Sequence, residues 1–151
     1  MRGKHKGLIH FSQKATLAIH AMIYLKESDR IVDASVMARD LGVSRTHLAK
    51  VISLLVGKGL AKSIRGRGGG VMLADSAKDA SVLDLLKAID EPVFGPYCLL
   101  DNPVKPGIQC AVVDVMDHMN ALIIKSLSEV TLDNFRPCPF VLPGNRDKDK
   151  E

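Results

Sequence analysis

The chain has 151 residues, a formal net charge of +4, 46% hydrophobic and 25% charged residues, which suits one folded soluble domain or a small domain with an appendage. No apolar run is long enough to cross a bilayer, and the basic start "MRGKHKGLIHF" lacks the apolar stretch of a secretory signal, so a membrane partner is excluded and the cytoplasm is the expected compartment. Three cysteines in a reducing compartment argue against a disulfide framework and for free thiols, metal ligands or redox chemistry.

"FSQKATLAIHAMIYLKES" reads as a helix, with Ser12 as N-cap and Leu17, Ala21, Met22 and Leu25 on one stripe. "DASVMARDLG" reads as a short helix begun near Asp33 and ended by Gly42, with Val36, Met37 and Leu41 facing inward. "VSRTHLAKVISLLVGKG" follows, capped by Ser44 and stopped by Gly57 and Gly59. Its Leu48, Val51, Ile52 and Leu55 recur at i, i+3, i+4, i+7, an amphipathic stripe. Two short amphipathic helices joined by Gly42-Val43 make a helix-turn-helix, whose second helix enters the DNA major groove.

The polar face of that second helix carries Ser44, Arg45, Thr46, His47, Lys50 and Ser53, and the helix holds no Asp or Glu. Arg and Lys reach phosphates or guanine, and Ser, Thr and His bond to phosphates or base edges. An ordinary solvated helix face mixes Glu with Lys, so the pattern favours a polyanion. The charge distribution agrees. Residues 1–70 carry 13 Lys and Arg against 4 Asp and Glu, or +9, and residues 71–151 carry 8 against 13, or −5.

"LAKSIRGRGGGVMLA" places a glycine cluster between two short β-tolerant segments, which reads as a hairpin tip. A P-loop needs Lys then Ser or Thr after its last glycine, and Val71 and Met72 stand there. A dinucleotide fingerprint needs a third glycine at 71 and a helix after it. A tip bearing Arg65 and Arg67 behind a helix-turn-helix is the wing of a winged helix, with Gly68, Gly69 and Gly70 allowing close approach to the DNA backbone.

"ASVLDLLKAID" is a further helix, with Ser81 and Asp84 as a capping-box-like start and Val82, Leu85, Leu86 and Ile89 as its stripe. After Pro92 comes the loop "CLLDNPVKPGIQC", Cys98 to Cys110. "CAVVDVMDHMNALIIKSLSEV" then runs as one long helix. Val112, Met116, Met119, Ile123, Leu127 and Val130 follow a 4-3-4-4-3 spacing, and Val115, Leu122 and Ile124 widen the apolar surface. That is more apolar face than a small domain readily covers, and the same helix of a second copy would cover it. The alternative is a helix packed on its own domain.

The order of elements resembles the Rrf-type (IscR/NsrR/RirA/CymR-like) family of bacterial winged helix-turn-helix transcription regulators over roughly residues 11–135. "LAIHAMIYL", "LGVSRTHLAKVISLLVGKGL", "SIRGRGGGVMLA", "SVLDLLKAIDEP" and "LSEVTLDNF" carry the resemblance, and the wing with the helix after it is its specific part. The resemblance implies a mostly α fold with a small β-hairpin wing. It divides the chain into a winged helix-turn-helix domain over 1–90, a cysteine-containing sensor loop over 91–110, a dimerisation helix over 111–135 and a flexible tail over 136–151. It implies a homodimer on a partly palindromic operator in double-stranded DNA, acting as a repressor. Ser44, Arg45, Thr46, His47, Lys50, Arg65, Arg67, Gly68, Gly69 and Gly70 would contact DNA.

Many members of the family hold an iron-sulfur cluster on three cysteines spaced C-x5-C-x5-C, and others hold none. Cys98 and Cys110 match the outer two positions, Val104 occupies the middle one, and the further ligands used by some members would fall at Val113 or near Thr16. Three readings stay open: a 2Fe–2S cluster with unusual ligands drawn from Cys138, His118 or Asp114; a thiol switch of Cys98 and Cys110; or no sensing role. Zinc has little support, because no C-x2-C pair is present. The competing function is a winged-helix protein-interaction module without specific DNA binding. An enzyme is not expected, since no nucleophile-base pair, carboxylate pair or nucleotide-binding arrangement is visible.

Overall fold

A computed structural model describes residues 11–92 and 111–134. The expectations placed on Cys98, Val104, Cys110 and Cys138 lie outside these residues. Among the described residues the chain forms five α-helices and one two-stranded antiparallel hairpin, in the order α1 (Gln13–Ser28), α2 (Ala34–Leu41), α3 (Arg45–Gly57), β1 (Ala61–Ile64), β2 (Gly70–Leu73), α4 (Val82–Ala88) and α5 (Ala111–Glu129). The fold is mostly α with a hairpin wing.

Helix α1 begins where Ser12 Oγ accepts the Ala15 amide at 3.1 Å. Its stripe is wider than the sequence pattern suggests. Ala15, Ala18, Ile23 and Tyr24 are buried together with Leu17, Ala21, Met22 and Leu25, because α1 is the central helix and touches α2, α3, α4 and β2. Tyr24 ties it to α2: its hydroxyl donates to Asp40 Oδ2 at 2.6 Å. Burial first, then the Asp40 carboxylate, pushes the Tyr24 hydroxyl up to about 12.

Helix α2 is capped by Asp33, which accepts the amides of Ser35 and Val36. Gly42 closes it in the left-handed conformation, φ 68, with the Gly42 and Val43 amides returning to the Arg39 and Ala38 carbonyls at 3.1 and 3.0 Å. One expectation is corrected here. Met37 is buried and Leu41 half-buried, but Val36 faces solvent, and Ala38 is buried in its stead. An eight-residue helix offers one narrow face, and Met37, Ala38 and Leu41 share it while Val36 points away.

In α3 the stripe Leu48, Val51, Ile52 and Leu55 is buried throughout. Gly57 belongs to the helix, and the left-handed residue that ends it is Gly59, φ 74. The Leu60 amide returns to the Leu55 carbonyl at 2.9 Å and the chain enters β1 directly, so the hairpin packs against α3. Strand β1 pairs with β2 from Ala61–Leu73 to Ile64–Gly70. Val32 adds a further bridge to Val71, with both amides bonded at 2.8 Å. A single-residue bridge leaves no periodicity in the sequence, so it is invisible there.

The capping box of α4 is complete: Ser81 Oγ accepts the Asp84 amide and Asp84 accepts the Ser81 amide and hydroxyl. These bonds hold the Asp84 carboxyl below the ordinary carboxylate range. Helix α5 differs from all the others, since none of its 19 residues is buried. Among the described residues, no helix is long and apolar enough to cross a membrane.

Candidate nucleic-acid interface

The first turns of α3 carry Ser44, Arg45, Thr46, His47 and Lys50, and all five are exposed. They are exposed because the helix spends its apolar stripe on the core, which leaves the opposite face to solvent. Arg45, Thr46, Lys50 and Ser53 line one open surface depression together with Ala49, and His47 lies outside it. Ala49 escaped the sequence reading because an exposed alanine has no signature. Its methyl group suits an apolar contact, such as a thymine methyl, between two cations.

Ser44 occupies the N-cap backbone position of α3, yet its side chain makes no capping bond. The expected cap is therefore conformational only, and the hydroxyl faces outward. Asp33, the cap of α2, is held below the ordinary carboxylate range mainly by the Ser35 amide, with a smaller contribution from the Arg45 guanidinium. Among the described residues, Arg45, Lys50, Arg65 and Arg67 form no ion pair with this chain's carboxylates. Four exposed cations outside any ion pair among the described residues are available to an external polyanion.

Arg65 and Arg67 sit at the exposed hairpin tip. The turn between the strands uses two glycines with positive φ, Gly66 at 107 and Gly68 at 82. Gly69 and Gly70 have a different reason to be glycine. A Cβ on Gly69 would run into the Ile64 carbonyl, and one on Gly70 into the Val32 carbonyl. Both are half-buried, so the wing's own packing already demands them.

Residues 11–136 match the Rrf2 family, described as an iron-dependent transcriptional regulator. The chain belongs to the Rrf2 family. It is 28% identical over 126 residues to the HTH-type transcriptional regulator IscR of Photobacterium profundum, covering 82% of this chain and 73% of that protein. In fold it is similar to CymR, the global cysteine regulator of B. subtilis, with a TM-score of 0.71 at 21% identity over 84% of this chain and 95% of CymR. It is also similar to T. potens IscR, with a TM-score of 0.66 at 22% identity over 84% and 85% of the two chains. This Rrf2 protein is accordingly a DNA-binding transcription regulator of winged-helix fold, and its relatives are regulators rather than enzymes.

Proposed function

We propose that this chain is a homodimeric, sequence-specific repressor that places two copies of α3 in successive major grooves of a partly palindromic operator. What supports this most is the face of α3: cations outside any ion pair among the described residues, no acidic residue, and an apolar stripe fully used by the core. Ser44, Arg45, Thr46, His47 and Lys50 read bases and phosphates. Arg65, Arg67 and Gly68 at the wing tip, backed by Gly69 and Gly70, meet the flanking backbone.

The dimer in this reading forms through α5, the dimerisation helix over 111–135. Val112, Val115, Met119, Leu122 and Ile124 are all exposed on it, an apolar surface that a second copy of the same helix covers in an isologous contact. The DNA-binding unit is residues 1–90, and the protein acts in the cytoplasm.

Signal input is assigned to Cys98 and Cys110. The sequence departs from the family's ligand pattern at every position but the two outer cysteines. Val104 stands between the two cysteines, Val113 is a half-buried apolar residue, and Thr16 carries no carboxylate. A reversible thiol pair asks for fewer partners. Protein purified without oxygen is therefore expected to be colourless, and a brown protein with visible absorption would replace the thiol reading by a cluster.

Selection from random duplex DNA tests the main reading. The expected product is an inverted repeat bound by a dimer, with affinity falling steeply as salt rises. Recovery of no enriched sequence by the reduced or the oxidised protein would leave a winged-helix module that contacts other proteins instead.

A further inference from the structure

Helix α5 raises a mechanical question. None of its residues is fully buried, and its packing on the core is the half-buried Leu127 with the contact to α4, so its direction relative to α3 needs a further restraint. The answer lies in the five residues after it. The Val130 carbonyl accepts the Val82 amide at 2.9 Å, and the Leu132 amide donates to the Ala80 carbonyl at 3.1 Å. Thr131 pairs with Ser81 as an antiparallel bridge. Leu132 is 0% exposed and belongs to the same core as Tyr24, Leu85 and Leu86.

Two side chains lock this segment. Lys26, from the last turn of α1, donates its ammonium to the Leu132 carbonyl at 2.7 Å and sits 3.5 Å from the Asp133 carboxylate. Asn134 Oδ1 accepts both the Thr131 amide and hydroxyl at 2.9 Å, which closes the turn. The end of α5 is thus stitched to α1 and to the N-terminus of α4, with a leucine plug in the core.

We infer that residues 130–134 are a clasp that sets the angle of α5 against the winged helix, and that Lys26 and Leu132 are positioning residues for operator binding. The inference rests on the dimeric reading above. A helix of 19 residues is a lever of about 28 Å at 1.5 Å per residue. A tilt of about 10° at the clasp moves its far end by about 5 Å, more than the ~3.4 Å rise of one base pair. Two recognition helices meet successive grooves about 34 Å apart only if that joint is stiff. A plug, two backbone bonds and a lysine tether restrain tilt where a bare apolar contact would let the helix slide.

The test uses the full-length protein and the inverted repeat that the wild type selects from random DNA. Three probes are compared: that repeat, the same repeat with two base pairs inserted between its halves, and a single half-site. Lys26→Met keeps the aliphatic stem and removes both bonds. It is expected to lose about tenfold in affinity for the selected repeat and to bind the two spacings within about twofold, while half-site binding and sedimentation as a dimer stay at the wild-type level. Lys26→Arg restores the spacing preference. Hydrogen exchange at the Val82 and Leu132 amides speeds up in Lys26→Met with α3 unchanged, and Leu132→Ala gives the same pattern where it folds.

Lys26→Met retaining the wild-type spacing preference, or losing half-site binding in proportion, overturns the clasp and leaves the dimeric reading standing. Wild type binding the repeat no better than the half-site overturns both.

Discussion

Helices α3 and α5 carry the same kind of sequence pattern and meet opposite fates. Each has an apolar stripe at helical spacing. In α3 that stripe is buried, with Leu48 and Leu55 at 0% exposure, whereas in α5 the stripe is half-buried at Met116, Ile123 and Leu127, exposed at Val112 and Met119, and flanked by Leu122 and Val115 at 53% and 55% exposure. Periodicity states that a helix has an apolar face, not what covers it. In α3 the covering surface is the chain's own α1, α2 and hairpin. In α5 the surplus stays exposed on this chain, the surface that the proposed dimer would cover, and the polar face of α3 is the surface that the same proposal gives to DNA.

The sharpest way to break this contrast is to truncate one leucine on each helix. Leu48→Ala is expected to cost about 2–5 kcal/mol through lost transfer energy and a cavity, whatever the protein concentration. Leu122→Ala is expected to act only through dissociation of the dimer, so its effect on thermal unfolding fades as the protein is diluted. Equal, concentration-independent losses for the two would mean that α5 is covered by its own chain.

The frame behind α3 depends on Tyr24 and Asp40, a bond to a charged acceptor. Tyr24→Phe should destabilise by about 1.5–3 kcal/mol at neutral pH. The Tyr24 hydroxyl is raised from 10.0 to about 12, so the folded state holds this proton more tightly than the unfolded chain. Its contribution is complete below pH 10 and is lost as the pH rises towards 12. Urea unfolding of wild type and Tyr24→Phe should therefore converge across that window, and a constant gap would contradict the assignment.

The polar face of α3 is tested against the wing by Lys50→Ala and Arg67→Ala, each expected to weaken operator binding by about 1–3 kcal/mol. Arg67→Ala should weaken all sequences alike and flatten the salt dependence, as a phosphate contact does. Lys50→Ala should also relax the preference at one base position. Titrations at several salt concentrations separate the two.

The smallest effects compare two serine caps. Ser81 caps α4 with real bonds and Ser44 caps α3 with none. Ser81→Ala should cost about 1 kcal/mol of stability. Ser44→Ala should stay within about 0.5 kcal/mol in stability and register, if anywhere, in DNA binding.

Much of the fold was legible because the local signals agree with one another. Ser12 and Ser81 are caps in the sequence and caps in the structure, Asp33 near the start of α2 proves to be its cap, and Ser44 holds the cap position of α3 without a capping bond. Gly42 closes α2 as its position suggests, and the glycine cluster marks the hairpin tip. The cations of the candidate interface were legible because they stand opposite a readable stripe. Ala49 was not, since a small exposed residue is defined only by its neighbours.

What the sequence determined by itself is local: five helices, the caps at Ser12 and Ser81, a glycine turn and a basic face free of acid. Those follow from backbone sterics and side-chain periodicity within a few residues. Tertiary structure alone decided that Val36 faces outward, that Val32 bridges Val71, and that Gly69 and Gly70 are fixed by carbonyls of Ile64 and Val32. It also decided that Leu132 returns to a core built mainly by residues before 90, held by Lys26 from 106 residues away. Such contacts join residues distant in sequence, and no spacing rule encodes them.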